Sequence, residues 1–227
     1  MFEHPKCKDC LNKSSATKVL NDSQIEQLGN NCAVINLKKG EFIFKQGIFS
    51  SNIVYLKEGV VKLFAEGPNK EQILKIAKGP TYLGIPTTIG EKYNRYSASV
   101  LEDIKACFID ANTFKTFIKE NGDFSYEIIV ELCRNEINLF NKCVNLAQKN
   151  ASGRLADAIL MFYNEIYHTK TFRMPLTRKE LGDYVDTTRE SVSRILSEFM
   201  TDGIIKLDKK EITILDFNKL KLISKTG

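Results

Sequence analysis

The sequence predicts an α+β chain made of a glycine-punctuated β-domain, one long helix and a C-terminal winged helix-turn-helix. Three observations carry this expectation. Short β-rich runs separated by glycines fill the stretch from Val34 to Asp110. Phe124 to Gln148 runs for twenty-five residues without Gly or Pro. "LTRKELGDYVDTTRESVSRIL", Leu176 to Leu196, holds two capping signatures ten residues apart, and two short β-runs follow it.

Length and composition permit such a chain without identifying it. With 227 residues and 43% hydrophobic content there is material for one large or two ordinary domains. Lys+Arg 33 against Asp+Glu 28 leaves +5, which fits a nucleic-acid partner without demanding one. No apolar run approaches the roughly 18 residues that span a bilayer, and "MFEHPKCKDC" lacks a secretory apolar core, so a cytoplasmic protein is expected. In that reducing setting the six cysteines read as free thiols, core fillers or metal ligands.

Along the chain, residues 1–33 carry the Cys7 and Cys10 pair and then "NDSQIEQL", where Asn21 or Asp22 can cap a short helix with Ile25 and Leu28 on one face. The runs "AVINL", "EFIFKQ", "NIVYLKEG", "VVKLFAEG", "QILKIAKG", "YSASVL" and "KACFID" read as separate strands, the intervening glycines supplying turn conformations, and imply a barrel, sandwich or roll. The long helix carries two apolar stripes. One is Ile129, Leu132, Leu139, Cys143 and Leu146; the other is Val130, Cys133, Ile137, Phe140, Val144 and Ala147. One stripe suffices to pack a helix on its own domain, so the second predicts a homodimer, and the first stripe is taken as its interface. Cys133 and Cys143 are expected in the core. Gly153 marks the expected hinge before a helix from Leu155 to Tyr167, giving domains at 1–123, 124–149 and 150–227.

Thr177 with Glu180, and Thr187 with Glu190, each form a capping-box pattern, so a helix starts at both points. The second helix buries Val192, Ile195, Leu196 and Phe199, which turns Arg189, Glu190, Ser193 and Arg194 outward. Arginine donates twice to guanine O6 and N7 and glutamate accepts from the cytosine amino group, so this face suits G·C pairs, each good bidentate contact supplying about 1–3 kcal/mol of discrimination. The plain alternative is a solvated Glu190–Arg194 pair contributing about 0.2–0.5 kcal/mol. "IIKLD" and "EITIL" around two lysines form a wing. Thr177, Arg178, Thr188, Lys206, Lys209 and Lys210 are the candidate DNA-backbone contacts.

This order of parts resembles the CRP/FNR superfamily of bacterial transcription regulators across nearly the whole chain. The resemblance rests on "LTRKELGDYVDTTRESVSRIL", with Arg189, Glu190 and Arg194 at base-contacting positions, and on "KKGEFIFKQG" and "GVVKLFAEGPNKEQILKIAKGPTYLG" in the β-domain. It implies a cyclic-nucleotide-binding-like β-roll, a dimerisation helix and a pseudo-palindromic operator, with RNA polymerase as a further partner. Binders of cyclic nucleotides in this family use a glutamate and an Arg-Ser pair. Here Ile85 and Tyr96 replace the glutamate and serine while Arg95 remains, so Gly84, Arg95 and Tyr96 mark an effector pocket for which cyclic AMP is not expected.

"CKDC" is similar to the start of the iron–sulfur motif of the oxygen-sensing branch, and Cys107 lies where that branch places its distant ligand. The third cysteine of the run is missing; Cys32 is the nearby substitute. An iron–sulfur cluster on Cys7, Cys10, Cys32 and Cys107, a zinc or redox pair at Cys7 and Cys10, and an unrelated signal all remain open. His4 and His168 stand alone. A helix-turn-helix serving protein contacts, beside a thiol or iron–sulfur redox role for Cys7 and Cys10, is the competing function. An enzyme is not expected, because no βαβ unit surrounds the Cys-x-x-C and no catalytic constellation is present.

Overall fold

The computed structural model describes residues 7–227, so His4 lies outside the described residues. Two compact units form: residues up to Ala65 with Ile76–Ile137, and Glu66–Lys75 with Asn138–Gly227.

In the first unit the N-terminal segment carries a 3-10 turn at Cys7–Asp9, α1 (Ser15–Lys18) and α2 (Asp22–Asn30). Asn21 caps α2: its side chain accepts the Gln24 N–H while the Gln24 side chain accepts the Asn21 N–H. Ile25 and Leu28 are buried, as the pattern predicts.

The β-domain comprises β1 (Cys32–Leu37), β2 (Phe42–Phe44), β3 (Asn52–Glu66), β4 (Glu71–Lys78), β5 (Thr81–Leu83) and β6 (Ser97–Asp110), with α3 (Ile85–Gly90) between the last two. The strand order is β1-β6-β3-β4, with β2 added to β6 and β5 to β3. Alternation along β3 sends Ile53 and Tyr55 to one apolar cluster and Val54 and Leu56 to the other.

Two pairs of expected strands are single strands here. "NIVYLKEG" and "VVKLFAEG" merge into β3, and "YSASVL" and "KACFID" into β6. Gly59 does not end a strand; it takes φ 92° inside β3, where the register against β6 shifts. A Cβ there would lie 2.3 Å from the Asp103 carbonyl oxygen, so glycine permits a bulge and a close approach rather than a reversal.

α4 (Ala111–Glu120) is capped by Asp110, and α5 (Gly122–Gln148) follows. Phe124 and Ile128 of α5 are buried against Phe114, Phe117 and Tyr82, and Leu132 packs on the same cluster. Glu131 accepts from the Thr81 hydroxyl and the Tyr82 N–H at 3.0 Å each, fixing α5 to β5. The stripes therefore divide differently from the sequence reading. Leu132 faces its own domain and Leu146 is half-buried, whereas Tyr126, Ile129, Ile137, Leu139, Phe140 and Val144 are exposed. Cys133 and Cys143, expected in the core, are exposed.

In the second unit Asn150 caps α6 (Ala151–Met161), which runs into a π-helical turn at Phe162–Tyr167 closed by His168 at φ 55°. β7 (Thr171–Arg173), α7 (Arg178–Val185), α8 (Arg189–Thr201), β8 (Ile205–Asp208), β9 (Glu211–Ile214) and α9 (Phe217–Thr226) complete it. The three strands pair in the order β7-β9-β8 over a core that includes Leu155, Ile159, Phe162, Leu181 and Ile195. Gly153 is not a free hinge. It lies in the first turn of α6, where a Cβ would come 2.8 Å from the Gly227 backbone, so its role is close packing.

Gly59→Ala would impose both a left-handed alanine and a backbone clash. A loss of about 2 kcal/mol or more in denaturant unfolding is expected; an unchanged midpoint would show that β3 can relax around a methyl group.

Candidate DNA interface and cysteine pocket

The helix-turn-helix is built from two caps and one close crossing. Thr177 accepts the Glu180 N–H, and the Glu180 carboxylate accepts the Thr177 N–H at 2.8 Å, the reciprocal box read from the sequence. α7 ends at Asp186, whose φ 54° and ψ 57° place it in the left-handed region that Asp enters more readily than most residues. The Thr187 N–H then donates to the Gly182 carbonyl at 3.0 Å, and a Cβ on Gly182 would lie 2.6 Å from the Thr187 oxygen. Only a bare backbone at 182 allows so tight a turn.

The second cap is one residue later than the pattern suggests. Thr188, not Thr187, accepts the Ser191 N–H, at 3.1 Å, because Thr187 is drawn back to Gly182. From this start α8 buries Val192, Ile195, Leu196 and Phe199 and exposes Arg189, Glu190, Ser193 and Arg194.

The alternative Glu190–Arg194 pair does not form. Arg194 bonds Glu198 one turn further on, at 2.5 Å, and the Ser193 hydroxyl donates to the Arg189 carbonyl. Glu190 and Glu198 both stand four residues from Arg194, so the sequence alone does not choose between them. Thr177, Thr188, Lys206, Lys209 and Lys210 are exposed and Arg178 is half-buried. Lys209 takes φ 53° at the tip of the β8–β9 turn.

In the β-domain Gly84 opens α3 at φ 84°, with Ile85 buried behind it. Arg95 turns outward to Glu91 at 3.1 Å, its side chain 70% exposed. Tyr96 packs edge-on against Phe44, and burial raises its phenol. The three residues matched to an effector pocket thus present no inward cation for a cyclic phosphate.

The cysteines converge instead. Cys7, Cys10, Cys32 and Cys107 line one pocket with Asn12, Lys13, Tyr55 and Ile109. β1 pairs Cys32 opposite Ile109 and Val34 opposite Cys107, which puts Cys32 and Cys107 diagonally on one face. The Cys7 and Cys32 sulfurs are 3.8 Å apart. Hydrogen bonding to Cys32, with Lys57 and Lys13 nearby, lowers Cys7 to about 7. Cys32 is raised by its bonds to Cys107 and Cys7, and Cys107 is lowered by its bond from Cys32. Cys32 is thus shifted in the opposite direction from the two cysteines beside it. Lys13 and Lys57 carried no sequence signal, since folding alone brings them here. Among the described residues no three Cys, His, Asp or Glu side chains stand ready as a metal cage, and no helix is long and apolar enough to cross a membrane.

The family model of the cyclic nucleotide-binding domain matches residues 34–121, and that of the Crp-like helix-turn-helix domain matches residues 153–223. Electron transport regulator A of Shewanella oneidensis is 28% identical, with 96% of this chain and 90% of that protein covered. The transcriptional activator protein anr of Pseudomonas aeruginosa is 26% identical, over 79% of this chain and 75% of that protein. The fold is that of FixK2 from Bradyrhizobium japonicum, with a TM-score of 0.78 at 17% identity, covering 86% of this chain and 98% of that one.

Thr188→Ala is expected to cost about 1 kcal/mol of stability through loss of the α8 cap, while Thr187→Ala leaves unfolding nearly unchanged. Thermal melts in which Thr187→Ala proved the more damaging would return the cap to Thr187.

Proposed function

This chain belongs to the CRP/FNR superfamily of DNA-binding transcription regulators, and we propose that it works as a homodimer reading a G·C-containing pseudo-palindromic operator through α8. The observation that carries the readout is the exposed set Arg189, Glu190, Ser193 and Arg194 at the N-terminal part of α8, opposite its buried stripe. That end of the second helix enters the major groove in a helix-turn-helix. Arg189 and Arg194 would take guanine, Glu190 cytosine, and Ser193 a base edge within reach. Thr177, Arg178, Thr188, Lys206, Lys209 and Lys210 would hold the phosphates, which adds salt-dependent affinity without sequence information.

The dimer reading is supported by the exposed face of α5, with Ile129, Ile137, Leu139, Phe140 and Val144 each at least half exposed. A second copy of the same helix is the partner that fits so long an apolar face. Cys143 lies on that exposed side and Leu146 at its edge, whereas Leu132 serves its own domain. RNA polymerase would be the further partner if the regulator activates.

For the signal, the cysteine pocket is the candidate. Cys7, Cys10, Cys32 and Cys107 match the thiolate number of a [4Fe–4S] cluster and are the residues that would hold one, although they do not stand as a ready-made metal cage. Such a cluster supplies oxidant-sensitive electron chemistry when bound. The chain's own contribution is to favour thiolate at Cys7, first through its contact with Cys32 and then through the charges of Lys57 and Lys13. Cyclic AMP is not proposed, because Ile85 offers the ribose no acceptor and Arg95 is paired at the surface with Glu91.

Arg189→Ala and Arg194→Ala should each abolish preference for the operator selected by the wild-type chain from random duplex, with unfolding unchanged. A variant that kept the wild-type consensus would remove that arginine from the readout.

Protein purified without oxygen should contain about four irons per chain with matching sulfide, and Cys32→Ser should lower both. Iron-free protein, with Cys7 and Cys10 bound to zinc or open to alkylation, would replace the cluster by a thiol pair.

A further inference from the structure

The last carbonyls of a helix have no partner within it. Beyond Gly182, whose carbonyl is met within the motif, several at the end of α7 are met from outside the helix-turn-helix. Gln72 Nε2 donates to the Asp183 carbonyl at 2.5 Å. Arg154 of α6 donates to the Val185 carbonyl at 2.7 Å and the Asp186 carbonyl at 3.0 Å. Lys70 reaches the Asp186 carboxylate at 2.6 Å.

The other side of the 70–74 segment is held by α5. Lys142 Nζ donates to the Ile73 and Leu74 carbonyls at 2.8 and 2.9 Å and lies 4.4 Å from the centre of the Tyr184 ring on α7. Glu66–Lys75 belongs to the same compact unit as the helix-turn-helix. The segment thus forms a strap with α5 on one side and the end of α7 on the other.

Gly182, Thr187 and the two caps already fix α7 against α8. What remains for the strap to set is the attitude of the whole motif on α5. The Lys70–Asp186 pair is about half exposed and contributes little to stability; its place is at the end of α7, directly before the turn into α8.

We infer that Lys70, Gln72 and Lys142 are positioning residues for operator binding, holding the helix-turn-helix on α5 and thereby setting the separation of the two recognition helices. The inference rests on the homodimer proposed above, whose half-sites would lie one helical turn, roughly 34 Å, apart.

The test uses the full chain with Lys70→Ala, Gln72→Ala, Lys142→Met and the double variant Lys70→Ala/Asp186→Asn. Each is titrated with a single half-site, with the operator selected by the wild-type chain, and with operators whose spacing is one base pair longer or shorter. Sedimentation is run alongside.

The variants are expected to remain dimers and to bind the half-site like wild type. They should lose about tenfold on the full operator and discriminate less among spacings, and the double variant should lose no more than Lys70→Ala. If Lys142→Met does not fold, Lys70→Ala, a surface change, carries the test.

Unchanged affinity and spacing preference would overturn the inference. So would an equal loss on half-site and operator, which would make the strap a support of the motif itself. A monomeric wild-type chain with no spacing preference would overturn the dimer reading and the inference with it, while half-site binding would still stand.

Discussion

Withdrawal of Val192, Ile195, Leu196 and Phe199 from water settles which face of α8 the protein can offer a duplex. Each such side chain contributes about 1.5–3 kcal/mol on burial. The competing surface term, an exposed ion pair at i,i+4, contributes only about 0.3–0.5 kcal/mol. The apolar term wins by a wide margin, so the helix cannot rotate to suit its charges. Arg189, Glu190, Ser193 and Arg194 face out because the stripe faces in. The Gly182 crossing and the Thr188 cap then determine where along the helix that polar face begins.

This is also why so much of the DNA-binding unit could be read from the chain. A 3.6-residue period, a capping box and an Asp in a left-handed turn are local signals, complete within a dozen residues. The misreadings arose where a local signal met a distant neighbour. Gly59 looks like a turn and is a bulge, because β6 approaches it from far along the chain. Gly153 looks like a hinge and is a contact point, because the Gly227 backbone packs on it. Thr187 looks like a cap and is held by Gly182 instead.

The cysteine pocket shows the same limit from the other side. Cys7 and Cys10 announce themselves by spacing, whereas Cys32 and Cys107 are far apart in sequence and meet only through the antiparallel register of β1 and β6. Once that register is set, Cys32 lies diagonally across from Cys107 and its sulfur 3.8 Å from that of Cys7. The division of the α5 stripes was equally out of reach. Both are apolar, and the sequence does not say that Phe124, Ile128 and Leu132 are the ones that meet Phe114 and Phe117.

The bond between Arg194 and Glu198 has a consequence for how such a regulator would search a chromosome. On the readout proposed for Arg194, the arginine travels already engaged, and any duplex must displace a carboxylate to reach it. A phosphate and a guanine edge can each offer the arginine two acceptors, so the carboxylate competes with both. Glu198 would therefore lower the grip of Arg194 on every duplex alike, and faster release from random sequence would come at the same cost on the operator.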